Sequence, residues 1–123
     1  RCLVVDDHEA NVMMMQKMLG KRRYTVGVAR DGLQAVEEAA KQKYDIILMD
    51  CNMPVMDGWT ATEKIRAGDG PNKPTPVVAV TANAMLGDRD MCLSRGMTDY
   101  MSKPVSRPDL FAMIDKHTGG APQ

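Results

Sequence analysis

The sequence predicts an α/β domain built on an open, five-stranded parallel sheet with helices on both faces, and three observations predict it. Cys2-Leu3-Val4-Val5, Ile46-Ile47-Leu48-Met49 and Val77-Val78-Ala79-Val80 are continuous apolar runs, the pattern of central parallel strands covered on both sides. Thr25-Val26-Gly27-Val28-Ala29 alternates and contains a glycine, and Asp99-Tyr100-Met101 is very short, so both suit the edges of a sheet. Helical patterns separate the runs, and five strands alternating with five helices imply right-handed crossovers between parallel neighbours.

Along the chain, Val12, Met15, Met18 and Leu19 form one helical stripe, Leu33, Val36 and Ala40 a second, and Leu110, Met113 and Ile114 a third. Ser106-Arg107-Pro108-Asp109 reads as the capped start of the last helix. Gly96 reads as the stop of a helix from Leu86 to Arg95, whose apolar pattern is the weakest of the set. Residues 67–76, A-G-D-G-P-N-K-P-T-P, form a polar loop before the fourth strand. With three central and two edge runs the strand order is expected to be the flavodoxin-like 2-1-3-4-5, which binds ligands at the carboxyl ends of strands near the switch point between strands 1 and 3.

Composition narrows the function classes. A chain of 123 residues has room for one core. The 16 basic and 16 acidic residues cancel, so no overall field points to nucleic acid or an anionic membrane. Cys2, Cys51 and Cys92 are odd in number and form no Cys-x-x-Cys pair, which argues against a disulfide framework or zinc site and for a reducing compartment. No apolar stretch approaches the ~20 residues of a membrane span, and a cytoplasmic domain without direct membrane contact, monomeric by itself, is expected. Because Arg1 opens inside a strand, the chain reads as an excerpt of something longer, with the domain at 1–118 and a tail at 119–123.

The chemistry follows from what the strand ends carry. Asp6 and Asp7 follow the first strand, Asp50 the third, Thr81 the fourth and Lys103 the fifth, so four segments converge on one rim. Three crowded carboxylates repel unless a hard cation joins them, and such oxygen donors suit Mg²⁺. A carboxylate is also a nucleophile towards phosphorus. A metal, an ammonium and a hydroxyl would then neutralise and orient the transferring oxygens.

Asp6-Asp7, the stretch Met49-Asp50-Cys51-Asn52-Met53-Pro54-Val55-Met56-Asp57-Gly58, Thr81-Ala82-Asn83-Ala84-Met85, and Tyr100 with Lys103-Pro104 together resemble the receiver domain of two-component response regulators, most of all receivers carried by hybrid sensor histidine kinases. The resemblance implies that Asp50 is the phosphoacceptor. It implies that Asp7, Asp50 and the Asn52 backbone carbonyl ligate Mg²⁺, with Asp6 acting through water. Thr81 and Tyr100 match the family's switch pair and Lys103 its phosphate-binding lysine, while Pro54, Gly58 and Pro104 shape loops. A histidine kinase or histidine phosphotransfer protein is the implied partner. The enzymology implied for the domain is limited to promoting its own phosphorylation and weak self-dephosphorylation; the resemblance leaves open whether the receiver stands alone or is the cytoplasmic domain of a larger, membrane-anchored hybrid kinase.

Plainer readings compete at each residue. An Asp-Asp pair after a strand caps helices, Thr81 could cap a helix, Tyr100 could pack on an edge strand, and the 12 methionines are core filler. His8 reads as a solvated loop histidine and His117 as a partner of a helix dipole. Two rival functions share the fold. An aspartyl-nucleophile phosphohydrolase would want a second acid for the leaving group, which Asn52 cannot supply. A flavin or nucleotide module would want a Gly-rich phosphate loop after the first strand, where Asp6-Asp7-His8-Glu9 stands instead.

Overall fold

The computed structural model describes residues 1–21, 23–50, 55–68, 70–73, 75–81, 90, 92–102 and 105–118. Five strands, β1 (Cys2–Val5), β2 (Val26–Ala29), β3 (Ile46–Asp50), β4 (Val77–Thr81) and β5 (Asp99–Ser102), pair in parallel in the order β2-β1-β3-β4-β5. Helices α1 (Glu9–Gly20), α2 (Gly32–Lys41), α3 (Gly58–Ala67) and α4 (Arg107–Thr118) alternate with them, and residues 90 and 92–94 are helical between β4 and β5. This is the flavodoxin-like (βα)5 architecture, with the apolar runs at its centre and the two weaker runs at its edges.

Strand periodicity of two sorts the side chains into two cores. Leu3, Val5, Ile47, Met49, Val77 and Ala79 face α2 and α3, whereas Cys2, Val4, Ile46, Leu48, Val78 and Val80 face α1 and α4. Burial of the Cys2 thiol pushes its pKa up to about 11, so it behaves as a small apolar side chain there. The α1 stripe Val12, Met15, Met18 and Leu19 is buried as the spacing predicts, and so are Leu110 and Ile114 on α4.

The second stripe differs from expectation. Gly32, Ala35 and Ala39 are the buried residues of α2, whereas Leu33 is 44% exposed. Close packing explains the rotation: a Cβ on Gly32 would lie 2.3 Å from the Met56 carbonyl oxygen, so only small residues fit that face. The bulk that α2 withholds comes from Tyr44, which is fully buried and whose ring fills the space above Gly27, where a Cβ would meet its hydroxyl at 2.6 Å. The glycine that marked β2 as weak is therefore room for an aromatic ring.

Helix ends follow local chemistry. Asp31 and Asp57 accept from the backbone N–H groups of Gln34 and Thr60 at the starts of α2 and α3, each closing one of the orphan donors of a first turn. Ser106 Oγ accepts from Asp109 N at 3.3 Å, and Gly96 ends its helix with φ +100° while Met97 N reaches back to Cys92 O at 3.0 Å, as predicted. The polar loop at 67–76 contains a buried knot: Asn72 donates to the carbonyls of Ala39 and Gln42, both at 2.6 Å, and accepts from Tyr44 N at 2.7 Å and Thr75 Oγ1 at 2.9 Å.

Candidate functional site

Register places the site. Val5 pairs with Met49 and Asp50 with Val80, so Asp6, one residue past β1, lies level with Asp50 on the next strand. Their alternation carries both onto the α1 side of the sheet, and both are buried, at 5% and 3% exposure. Asp6 Oδ1 accepts from His8 N at 2.9 Å. An apolar cavity of about 140 Å³, lined among others by Val4, Met15, Leu48 and Val80, also borders Asp6; a low-dielectric flank of this kind strengthens electrostatic interactions beside it. Asp7 is exposed as a residue, yet its side chain retains only 27% exposure.

The structure brings a fourth group to these carboxylates. His8 Nδ1 lies 3.1 Å from Asp7 Oδ1 and 3.5 Å from Asp6 Oδ1. One ligand atom from each of Asp6, Asp7, His8 and Asp50 lies within 4.8 Å of the others, a span that one cation can bridge. Carboxylate oxygens at this density fit a hard divalent ion. The sequence reads His8 as a solvated loop histidine, and its side chain is indeed 68% exposed; it stands at the extended N-cap of α1, with φ −96° and ψ 117°, and only its Nδ1 edge meets the carboxylates.

Gly58 is tied to the site by contact. A Cβ there would come within 2.3 Å of the Asp50 carbonyl oxygen, so α3 starts directly against the backbone of the third strand. Val55, just before it, is exposed and has φ +68°, a conformation that a β-branched residue rarely adopts. Asn52, Pro54, Lys103 and Pro104 lie outside the described residues.

Thr81 ends β4 and is buried, one residue beyond the Val80 that pairs with Asp50. Tyr100 pairs with Ala79, two residues before Thr81 on the same face, and its partly buried ring packs on the core beneath α2 and α3. Thr81 and Tyr100 are thus diagonal neighbours on one face, close enough for an aromatic side chain to respond to its neighbour. His117, read as a helix-dipole partner, instead holds Asp99 Oδ2 at 2.9 Å, beside Lys116 at 3.0 Å.

A row on α3 grips the segment that leads into β5. Trp59 Nε1 donates to Cys92 Sγ at 3.3 Å, Glu63 receives Arg95 through two bonds of 2.8 Å, and Arg66 donates to Gly96 O at 3.0 Å. Arg66 also binds the carbonyls of Lys73 and Thr75 at 2.7 and 2.6 Å, and burial lowers its pKa. No helix among the described residues is long and apolar enough to cross a membrane.

Comparison with known proteins agrees with this geometry. Residues 2–115 match the family model of the response regulator receiver domain. The chain is 43% identical over 119 residues to hybrid signal transduction histidine kinase G of Dictyostelium discoideum, covering 95% of this chain and 4% of that protein. It spans between 4 and 25% of the length of the curated relatives it matches. The receiver domain of a sensor histidine kinase from Pseudomonas aeruginosa PAO1, with a magnesium ion coordinated in its active-site cleft, superposes with a TM-score of 0.88 at 43% identity over 96% of both chains. A Saccharomyces cerevisiae response regulator receiver, co-crystallised with a histidine phosphotransfer signalling protein, superposes with a TM-score of 0.90 at 28% identity over 96% of this chain and 88% of that one. The chain belongs to the response regulator receiver domains and is a receiver of two-component phosphorelay signalling.

Proposed function

We propose that Asp50 is the residue that takes the phosphoryl group, from a phosphohistidine on a histidine kinase or histidine phosphotransfer protein. The observation that carries the reading is the burial of the Asp50 carboxylate at a strand end, level with Asp6 and within reach of Asp7 and His8. A carboxylate oxygen attacks phosphorus, the P–N bond breaks, and the imidazole leaves with the electron pair and takes a proton. Asp7, Asp50 and the Asn52 carbonyl would hold Mg²⁺, with Asp6 acting through water. A bound ion would supply positive charge beside the phosphoryl oxygens, and Lys103 would supply an ammonium contact to them. Pro54, Gly58 and Pro104 shape the loops around the acceptor.

Phosphorylation adds roughly −1.5 to −2 charge and new acceptor oxygens at Asp50. The Thr81 hydroxyl turns towards them and Tyr100 moves into the space released. The receiver occupies 1–118, with 119–123 as a tail, and acts as a monomer in the cytoplasm. Its relatives include hybrid kinases, and a hybrid sensor histidine kinase is the parent chain we favour.

Incubation with acetyl phosphate and Mg²⁺ followed by intact-mass measurement tests the assignment. One labile phosphoryl adduct is expected, absent in Asp50→Asn with the fold retained. An adduct at the wild-type rate in that variant removes Asp50 from the role, and steady turnover of unrelated phosphate esters would instead make the protein a phosphohydrolase.

A further inference from the structure

The apolar cavity that borders Asp6 lies behind the rim, inside the core on the α1 side of the sheet. It encloses about 140 Å³ between α1, strands β1, β3 and β4, and the segment that follows β5. Native cores keep few voids larger than a water molecule, so a space of this size departs from the packing around it. Val4, Leu48 and Val80 form its sheet wall, Met15 its helix wall, and Val105 closes it from beyond β5; all five are buried. Asn11 and Met14, one turn apart on α1, are the lining residues that are not buried. The mouth therefore opens at that turn, where an unbranched methionine side chain can swing aside.

The lining selects the occupant. An ordered water would need several hydrogen-bonding partners, and only Asp6 and Asn11 are polar among the described residues that line the space. Cavities of ~150 Å³ with aliphatic walls stay dry and accept a single benzene ring. Met14 and Met15 add thioethers, which make favourable contacts with aromatic rings. Charge is disfavoured: an anion would face Asp6, and any ion would lose its water among aliphatic side chains. We propose that this cavity is a binding site for a small, uncharged aromatic molecule, one ring in size, carrying at most one hydrogen-bond donor directed at the Asn11 corner. The ring would rest on Val80, which pairs with Asp50 and precedes Thr81. Neither a metal nor a phosphoryl group takes part in the binding, so the assignment stands apart from the phosphoacceptor reading.

Phenol is the probe, with toluene and benzoate for comparison, titrated into the metal-free protein and followed by methyl NMR. Phenol should shift the methyl resonances of Val80, Val105 and Met15 along one saturable curve with a Kd of about 1 mM or tighter, within reach of so small a ligand. Benzoate should bind at least ~10-fold more weakly. Val105→Phe fills the space with the protein's own ring and should lose phenol binding while keeping a folded spectrum. Asn11→Leu, at the partly exposed mouth, should weaken phenol at least ~3-fold and leave toluene unchanged, a readout that holds even where Val105→Phe does not fold. The proposal is overturned by the absence of saturable shifts with phenol and toluene, by shifts that map away from these methyls, or by undiminished binding to folded Val105→Phe. Benzoate binding as tightly as phenol, phenol affinity unchanged in Asn11→Leu, or magnetisation transfer from a long-lived water to the Val80 methyls would overturn it equally, the last by showing that water fills the space.

Discussion

Replacing Gly58 with alanine probes how tightly Asp50, the proposed acceptor, is seated. The added Cβ would lie 2.3 Å from the Asp50 carbonyl oxygen, 3.1 Å from its carbon and 3.0 Å from Met49 Cγ. The nearest partner is backbone, so it cannot swing away, and restoring ordinary contact near 3.4 Å requires the start of α3 and the end of β3 to part by roughly 1 Å. Overpacking of this kind costs about 1–3 kcal/mol, and alanine recovers up to ~1 kcal/mol of helix propensity, leaving a net loss of about 1–2 kcal/mol. For a domain of this size that lowers Tm by roughly 3–10 °C, so the protein stays folded at room temperature. Chemistry is more sensitive: a displacement near 1 Å at a reacting group can cost ~10²-fold. Thermal melts should therefore show a modest loss, and the rate of adduct formation per folded molecule should fall by one to two orders of magnitude. A variant with unchanged Tm that is phosphorylated at the wild-type rate would show that Gly58 does not constrain Asp50.

Thr81→Ala should accept phosphate at Asp50 yet show reduced chemical-shift change along residues 92–102; full-sized shifts there in the phosphorylated variant would remove Thr81 from the coupling. Asn72→Ala strands the Ala39 and Gln42 carbonyls and the Tyr44 N–H, at ~1–3 kcal/mol for each unsatisfied group, so urea unfolding should register a loss of at least about 3 kcal/mol with adduct formation preserved in the folded fraction. Asp99 is raised by burial but lowered further by its bonds from His117, Lys116 and Tyr100 N–H, leaving its pKa below the usual 3.8. A depressed carboxylate stabilises the fold above its unfolded pKa and loses that contribution as pH falls through the folded value. The stability gap between wild type and Asp99→Asn should accordingly narrow as pH falls below about 4; a gap that stays constant or widens between about pH 4 and about pH 2 would contradict the pairing.

How much of this was legible in the sequence depended on whether a residue's partner is local. β1, β3 and β4 announced themselves because strands buried on both faces must be apolar throughout, and the order of strand ends then brought Asp6, Asp7 and Asp50 together. The α2 stripe was read rotated from the buried face: Val36 does pack against the core, but Leu33 and Ala40 are exposed, because Gly32, Ala35 and Ala39 keep helical spacing equally well and only the proximity of Met56 and Tyr44 decides between them. Asn72 looked like an ordinary loop residue, since its partners lie some thirty positions earlier. His8 was only half legible: its side chain is 68% exposed, as a loop histidine should be, but the contact of Nδ1 with Asp7 depends on its side-chain torsions, which the letters do not display.

The row on α3 acquires a mechanical meaning once its ends are considered together. Gly58 bears on the carbonyl of Asp50, and eight residues later, ~12 Å along the axis, Arg66 holds the turn at Gly96. A helix is stiff along its length, so α3 is a strut between the Asp50 backbone and the approach to β5, with Trp59 and Glu63 as rivets along the way. A backbone shift at Asp50 that moved Gly58 would be delivered to the Cys92–Gly96 stretch as a rigid translation, without passing through the Thr81 hydroxyl. With the proposed Thr81 route, load would then reach β5 by two members in parallel, and cutting one would leave the frame able to carry part of it.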